Sequence, residues 1–211
     1  MSQPEHIHLT YNDIHKTIED ASKKIAKEFK PDVFIAIGGG GFFPARVMRT
    51  FLKDPSTKRN IPIQAIGLSL YESLPGTTAE QIGNQVVRTQ WLGPESGNIL
   101  LGRRALIIDE VDDSRKTLHY AISELQRDVE REVAKLPEAE RDAARTKFAV
   151  FVVHNKLKEK LAELPADVPY YAGADVEDLW LDYPWESNDI DEHDRLSALE
   201  KAAGKHSFSK H

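Results

Sequence analysis

Apolar residues recur along the chain at two different spacings. Over residues 11–29 they return every three or four positions, which predicts an amphipathic helix capped by Thr10 and closed before Pro31. The same spacing over residues 118–136 predicts a second, longer helix. Shorter apolar runs bounded by turn residues predict strands. The predicted strands span residues 33–37, 63–70, 86–91, 105–108, 148–153 and 170–174, and a third helix spans 44–53.

Strands that alternate with helices indicate βαβ units. The fold class is therefore predicted to be α/β, with a doubly wound, mostly parallel sheet. A length of 211 residues fits a single domain, 1–211. Ligands of such sheets bind beyond the carboxyl ends of the strands. Two unusual segments follow predicted strands there, a glycine run at 38–41 and an acidic run at 109–113.

Composition and charge exclude several classes of function. The chain has 28 Lys and Arg against 34 Asp and Glu, which gives a net charge of −6. General electrostatic binding to nucleic acid is therefore not expected. It has no cysteine, which excludes disulfides and cysteine-ligated metals. Residues 1–9 are polar, and no apolar run approaches the roughly 18 residues of a membrane span. We expect a cytoplasmic protein without membrane contact. No role is assigned to the tail from residue 189.

The acidic run combines carboxylates, hydroxyls and positive charge within one short segment. Four carboxylates within five residues precede a Ser-Arg-Lys-Thr turn that opens a helix. Backbone N–H groups at a helix N-terminus bind anions, and carboxylates suit Mg²⁺ or sugar hydroxyls. The segment therefore predicts a site for a phosphorylated sugar with a metal; the alternative is a solvated acidic loop that caps the helix. The candidate residues are Asp109, Glu110, Asp112, Asp113, Ser114, Arg115, Lys116 and Thr117.

This segment resembles the phosphoribosyl-pyrophosphate signature of type I phosphoribosyltransferases. The resemblance implies that Asp109 and Glu110 address the ribose hydroxyls, directly or through Mg²⁺ as metal ligands. It implies that Asp113 lies beside the purine N7 as the catalytic acid or base, and that residues 114–117 wrap the 5′-phosphate.

Two positions depart from the pattern of the family. Asp112 replaces an apolar residue, and Arg115 stands where glycine is usual. A side chain disfavours a left-handed backbone, so a positive φ is not expected at Arg115.

The glycine run permits close approach of a ligand to the backbone, although a flexible strand–helix turn is the alternative. Gly38, Gly39, Gly40 and Gly41 resemble the pyrophosphate-binding loop of purine phosphoribosyltransferases. The resemblance implies a cis peptide between Gly38 and Gly39. Gly39 stands where many relatives carry Lys or Arg, so side-chain charge must come from elsewhere.

The third segment is rich in aromatic residues, with two tryptophans and a tyrosine in residues 180–185. A local aromatic core is the alternative to a binding site. The segment resembles the hood of purine phosphoribosyltransferases, formed here by the N-terminal segment and about 155–190. The resemblance implies that Trp180 stacks on the purine, Leu181 meets the base edge through its backbone, Asp182 faces the 2-substituent and Trp185 is structural. The remaining purine contact it implies is Lys156, which would donate to the O6 atom.

The resemblance covers about residues 10–190 and extends to fungal hypoxanthine–guanine and xanthine phosphoribosyltransferases. It implies a purine salvage transferase that moves 5-phosphoribosyl from phosphoribosyl pyrophosphate (PRPP) to xanthine, hypoxanthine or guanine, giving XMP, IMP or GMP and pyrophosphate. It also implies a Mg²⁺ cofactor, a homodimer or homotetramer, and a mobile loop at 72–85. The alternative is a PRPP-sensing regulatory protein on the same fold, a class that includes nucleic-acid binders. The negative charge and the complete hood argue against it.

Overall fold

The computed structural model describes residues 5–54, 56–70, 86–93, 99–206 and 208–210. The loop predicted at 72–85 lies outside the described residues. The described strands are β1 His6–His8, β2 Val33–Gly38, β3 Ile63–Leu70, β4 Val86–Gln90, β5 Arg104–Asp112, β6 Lys147–Lys156, β7 Tyr170–Val176, β8 Trp180–Asp182 and β9 Ser209–Lys210. The helices are α1 Tyr11–Glu28, α2 Phe42–Phe51, α3 Lys116–Val133, α4 Glu138–Ala144 and α5 Ile190–Ala202.

The central sheet has the strand order β4-β3-β2-β5-β6-β7-β9 within the described residues. The inner pairs are parallel, and β4 and β9 join the two edges in antiparallel orientation. Alternate side chains of β2 point to opposite faces, so Phe34 packs in the core with α1 and α2 while Ile35 packs in the core with α3. The prediction of a doubly wound, mostly parallel α/β fold is therefore confirmed.

The N-terminal strand β1 pairs in parallel with β8 and forms a separate two-stranded sheet. His6 lies opposite Trp180 and His8 opposite Asp182 in this pair. The sequence pattern predicts neither strand, because three residues are too few to show a periodicity. The pairing places the N-terminal strand beside the aromatic segment.

Several predicted bounds change in the structure. β5 continues to Asp112 and β6 continues to Lys156, so part of the acidic run and the candidate lysine are strand residues rather than loop residues. Strand β7 likewise extends two residues beyond its predicted end. Thr10 caps α1 as predicted, in a reciprocal arrangement with Asp13. α5 forms in the tail to which the sequence assigned no role. No helix of the described residues is long and apolar enough to cross a membrane.

Candidate functional site

The glycine run and the acidic run meet at one edge of the sheet because β2 and β5 are parallel neighbours, with Ala36 opposite Ile108. Both strands end at this edge, and a cleft of about 240 Å³ opens between their ends. Most of its lining comes from the glycine turn, the end of β5 and the first turn of α3, with Ile37 of β2 and Leu68 of β3 completing it. The lining residues used below are Gly38, Gly39, Gly40, Asp109, Glu110, Asp113, Ser114, Arg115 and Thr117.

The glycine turn lies so close to its neighbours that a Cβ atom would clash at three of its four positions. At Gly41 it would collide with the backbone carbonyl oxygen of Ile108, and at Gly38 and Gly40 it would collide with the ends of the Phe42 and Glu110 side chains. A Cβ atom at Gly39 would meet nothing within 4 Å. The peptide between Gly38 and Gly39 is cis. The turn therefore places its backbone directly against the end of β5.

The two acids of the predicted ribose pair differ in their surroundings. Burial raises the pKa of Asp109 well above its usual range, and the neighbouring Glu110 adds to that rise. Burial also raises the pKa of Glu110 to about 7, with repulsion from Glu186 as the second cause. The indole N–H of Trp185 donates to Glu110 Oε2 over 3.0 Å and partly offsets this rise. Glu110 therefore titrates in the physiological range.

Asp113 lines both this cleft and a second one, of about 200 Å³. Its Oδ1 atom lies 3.0 Å from Lys158 Nζ and 3.9 Å from Lys156 Nζ. Both lysines also pair with Asp178, at 3.1 and 3.6 Å. Two cations and a second carboxylate thus surround the candidate catalytic acid.

The second cleft collects most of the predicted purine contacts. Trp180 is 54% exposed there, Leu181 is buried, and Lys156 reaches it from the end of β6. Asp182 does not join them: its carboxylate lies 2.7 Å from His6 Nδ1 and 3.9 Å from His8 Nε2, in a different cavity. Side chains alternate along a strand, so Asp182 shares a side of β8 with Trp180, and its contacts with His6 and His8 are what separate its carboxylate from the second cleft.

Trp185 has a larger part in the site than the sequence indicates. Besides its hydrogen bond to Glu110, its ring stacks between Phe43 and Tyr183, with centroids at 5.2 and 4.8 Å. The hydroxyl of Tyr183 lies 3.2 Å from the carbonyl oxygen of Glu110 and 2.9 Å from Nδ1 of His154. Sequence reasoning missed Tyr183, Glu186 and Lys158 as well, although all lie within a few residues of a predicted contact.

The backbone of the turn before α3 differs from the conformation expected from the sequence. Arg115 has φ 67° and ψ −4°, which contradicts the expectation that an arginine avoids the left-handed region. Its side chain contacts Asp112, whose carboxylate has no exposed surface. α3 begins at Lys116 without a side-chain cap, and Ser114 and Thr117 line the cleft at this end of the helix.

Known proteins resemble this chain over nearly its whole length, although no protein-family model matches it. The hypoxanthine-guanine phosphoribosyltransferase of Schizosaccharomyces pombe is 51% identical over 197 residues, covering 90% of this chain and 94% of that protein. The chain belongs to the purine phosphoribosyltransferase family. Xanthine phosphoribosyltransferase 1 of Saccharomyces cerevisiae is 46% identical over 207 residues and covers 93% of this chain and 97% of its own. The family predicted from the sequence is thereby confirmed.

A solved structure with a similar fold is a hypothetical protein from Neisseria gonorrhoeae with bound ppGpp. It is 36% identical, has a TM-score of 0.74, and the match covers 94% of this chain and 99% of that one. This purine phosphoribosyltransferase therefore shares its architecture with a protein that was solved with a guanine nucleotide bound.

Proposed function

We propose that this purine phosphoribosyltransferase transfers the 5-phosphoribosyl group of PRPP to a 6-oxopurine, giving a nucleoside 5′-monophosphate and pyrophosphate. The observation that carries the proposal is the position of Asp113, which lines both clefts. A sugar in the first cleft and a base in the second would meet beside its carboxylate. This arrangement supplies the proximity that joins two substrates in one step.

The first cleft suits the three parts of PRPP. The 5′-phosphate would lie at the N-terminus of α3, where the N–H groups of residues 114–117 and the hydroxyls of Ser114 and Thr117 bind anions, with Lys116 adding positive charge. Pyrophosphate would lie against the glycine turn of residues 38–41, whose backbone is open to close approach. The ribose would lie between the 5′-phosphate and the pyrophosphate, and Asp109 and Glu110 would accept hydrogen bonds from its hydroxyls.

The second cleft suits a purine. The exposed ring of Trp180 offers a stacking surface, Leu181 a backbone edge and Lys156 a donor for the O6 atom. As the bond to C1′ forms and pyrophosphate leaves, Asp113 would take or hold the proton at N7. Since Asp182 pairs with His6, we propose that it orients β8 rather than contacting the 2-substituent.

Mg²⁺ fits this site only with help from the substrate. The described residues hold no group of three His, Cys, Asp or Glu side chains placed around a metal. Mg²⁺ sites commonly use one or two carboxylates together with substrate phosphates, and Asp109 and Glu110 face the cleft in which those phosphates would lie. When bound, the ion would neutralise charge on the pyrophosphate leaving group.

The remaining parts of the proposal follow from family membership and from chain pairing. We propose one domain with a small hood, in which β1 pairs with β8 beside the second cleft. We also propose a cytoplasmic homodimer or homotetramer that acts on PRPP and 6-oxopurines and not on nucleic acid. The ppGpp-bound neighbour supports a guanine nucleotide as ligand, whereas the two curated relatives differ in their named base.

The decisive experiment measures pyrophosphate release from PRPP with xanthine, hypoxanthine, guanine, adenine or orotate, with Mg²⁺ present. We expect turnover with at least one oxopurine and little with adenine, because a donor at Lys156 would face the 6-amino group of adenine. PRPP binding without base-dependent release would favour the regulatory alternative. Adenine turnover equal to that of the best oxopurine would contradict the role of Lys156.

A further inference from the structure

We propose that Asp112 is a positioning residue that compensates for Arg115, and that the two form a coupled pair that holds the phosphate-binding turn. The inference rests on the proposed function of that turn in PRPP binding. It joins the two positions at which the acidic segment departs from the pattern of the family. The structure places these two departures in direct contact.

The backbone of Arg115 has a conformation that needs support. Its φ of 67° lies in the left-handed region, where a Cβ atom crowds the following carbonyl oxygen and glycine is favoured. Two other described residues with side chains share a positive φ, Lys30 and Lys58. Lys30 directly follows a helix and Lys58 lies in a surface turn, where such conformations are common; Arg115 instead lies in the lining of the cleft.

The side chain of Arg115 is fixed from two sides. Its Nε and Nη2 atoms both donate to Asp112 Oδ2, over 2.9 and 2.7 Å. The guanidinium carbon lies 4.7 Å from the centre of the Tyr170 ring, and the hydroxyl of Tyr170 donates to the same Oδ2 atom over 2.8 Å. These contacts commit the guanidinium to Asp112 and fix the left-handed turn.

Asp112 is in turn held by contacts with other groups of the protein. A buried carboxylate is costly unless donors and cations surround it, and Asp112 has both. Lys160 Nζ lies 3.6 Å from its Oδ1 atom. The same ammonium donates to the carbonyl oxygens of Asp112, Asp113 and Lys156, over 2.7, 3.0 and 2.9 Å. The pair is thus tied to the backbone on which Asp113 and Lys156 stand.

A direct contact between Asp112 and substrate fits this geometry poorly. The side chain of Asp112 is 0% exposed, whereas that of the neighbouring Asp113 is 45% exposed. A ligand would have to displace Arg115 or Tyr170 to reach the buried carboxylate. The pair therefore acts on PRPP through the shape of the turn.

The test is a double-mutant cycle with PRPP affinity measured by calorimetry in Mg²⁺. Asp112→Val leaves Arg115 in a left-handed conformation without its partner, and we expect PRPP binding to weaken about tenfold or more. Arg115→Gly alone should weaken it less than Asp112→Val does, because glycine adopts this backbone without help and Tyr170 and Lys160 still face the buried Asp112 carboxylate. The double variant Asp112→Val/Arg115→Gly should recover to within about threefold of the wild type.

Equal losses of PRPP affinity in Asp112→Val and in the double variant would overturn the proposal. A residue that contacts PRPP directly would weaken binding on removal whether residue 115 is Arg or Gly. If Asp112→Val does not fold, a folded double variant supports the pair and an unfolded one contradicts it. A wild-type chain that binds no PRPP refutes the proposed function instead. The pair is then judged by urea unfolding alone, where additive effects of the two substitutions would overturn it.

Discussion

The two turns at the carboxyl edge of the sheet both line the first cleft, but their shapes are maintained by opposite means. The turn after β2 has four glycines and approaches its neighbours so closely that a Cβ atom would clash at Gly38, Gly40 and Gly41, at Gly41 with backbone atoms. The turn after β5 has no glycine, and the residue in its left-handed position is Arg115, held by a buried carboxylate. The first turn is shaped by missing side chains and the second by side chains that bind one another.

This difference predicts how each turn fails. A turn that depends on glycine is disrupted when a side chain is added, because the added atoms clash with their neighbours. A turn that depends on contacts between side chains is disrupted when one of them is removed, and the groups that those contacts position are then displaced. Substitutions in the two turns should therefore differ in whether they first affect stability or catalysis.

The largest expected effect is in the second turn, at Asp113. Asp113→Asn keeps the shape of the side chain but removes its proton affinity, so we expect turnover to fall by about 10²-fold or more. PRPP binding and the fold should largely persist. Single-turnover nucleotide formation and a PRPP titration measure the two properties separately.

The matched control for this variant is Asp178→Asn. Asp178 pairs with the same two lysines but lines neither cleft, so its loss should change turnover by no more than about threefold. Near-normal turnover in Asp113→Asn, or an equal loss in both variants, would remove Asp113 from the proton transfer.

The next effect is in the first turn and concerns stability. Gly41→Ala would press a methyl group against the carbonyl oxygens of Ile108 and Ile37, which are backbone atoms that cannot rotate away. We expect the free energy of unfolding in urea to fall by about 1–3 kcal/mol, the usual cost of overpacking. Gly39→Ala has open space and should change it by less than about 0.5 kcal/mol. Similar values for both variants would show that this turn relaxes freely.

The sequence predicted the fold and the site edge far better than the contacts within the site. Long apolar runs such as 33–37 identify the parallel strands because burial on both faces leaves few alternatives, and the clustering of glycine and acidic residues follows from the topology. The stacking of Trp185 between Phe43 and Tyr183 joins residues about 140 positions apart, which no local pattern reveals. The left-handed Arg115 was missed for a related reason: its support from Tyr170 comes from another strand.

The smallest expected effect compares two acids at the end of β5, Asp112 and Glu110. Three donors reach Asp112 Oδ2, whereas Glu110 has the indole of Trp185 on one side and the carboxylate of Glu186 nearby. The pKa of Glu110 rises to about 7 from its usual 4.5, so the folded protein holds this proton more tightly than the unfolded chain does. The contribution of Glu110 to the free energy of unfolding therefore falls as the pH rises from about 4.5 to 7, and it stays lower above that range.

Replacing this carboxylate should consequently stabilise the protein at high pH. We expect Glu110→Gln to raise the free energy of unfolding at pH 8 by about 1–2 kcal/mol while changing it little at pH 5, and to weaken PRPP binding. Glu186→Gln should give a smaller rise, because burial is the larger cause of the shift in the pKa of Glu110. Asp112→Asn should have the opposite sign and lower stability at both pH values, since it removes the negative charge that faces Arg115 and Lys160. Urea unfolding of the three variants at pH 5 and pH 8 measures all of these changes. A loss of stability in Glu110→Gln at pH 8 would show that Glu110, like Asp112, is a paired acid, and the contrast between the two acids would fail.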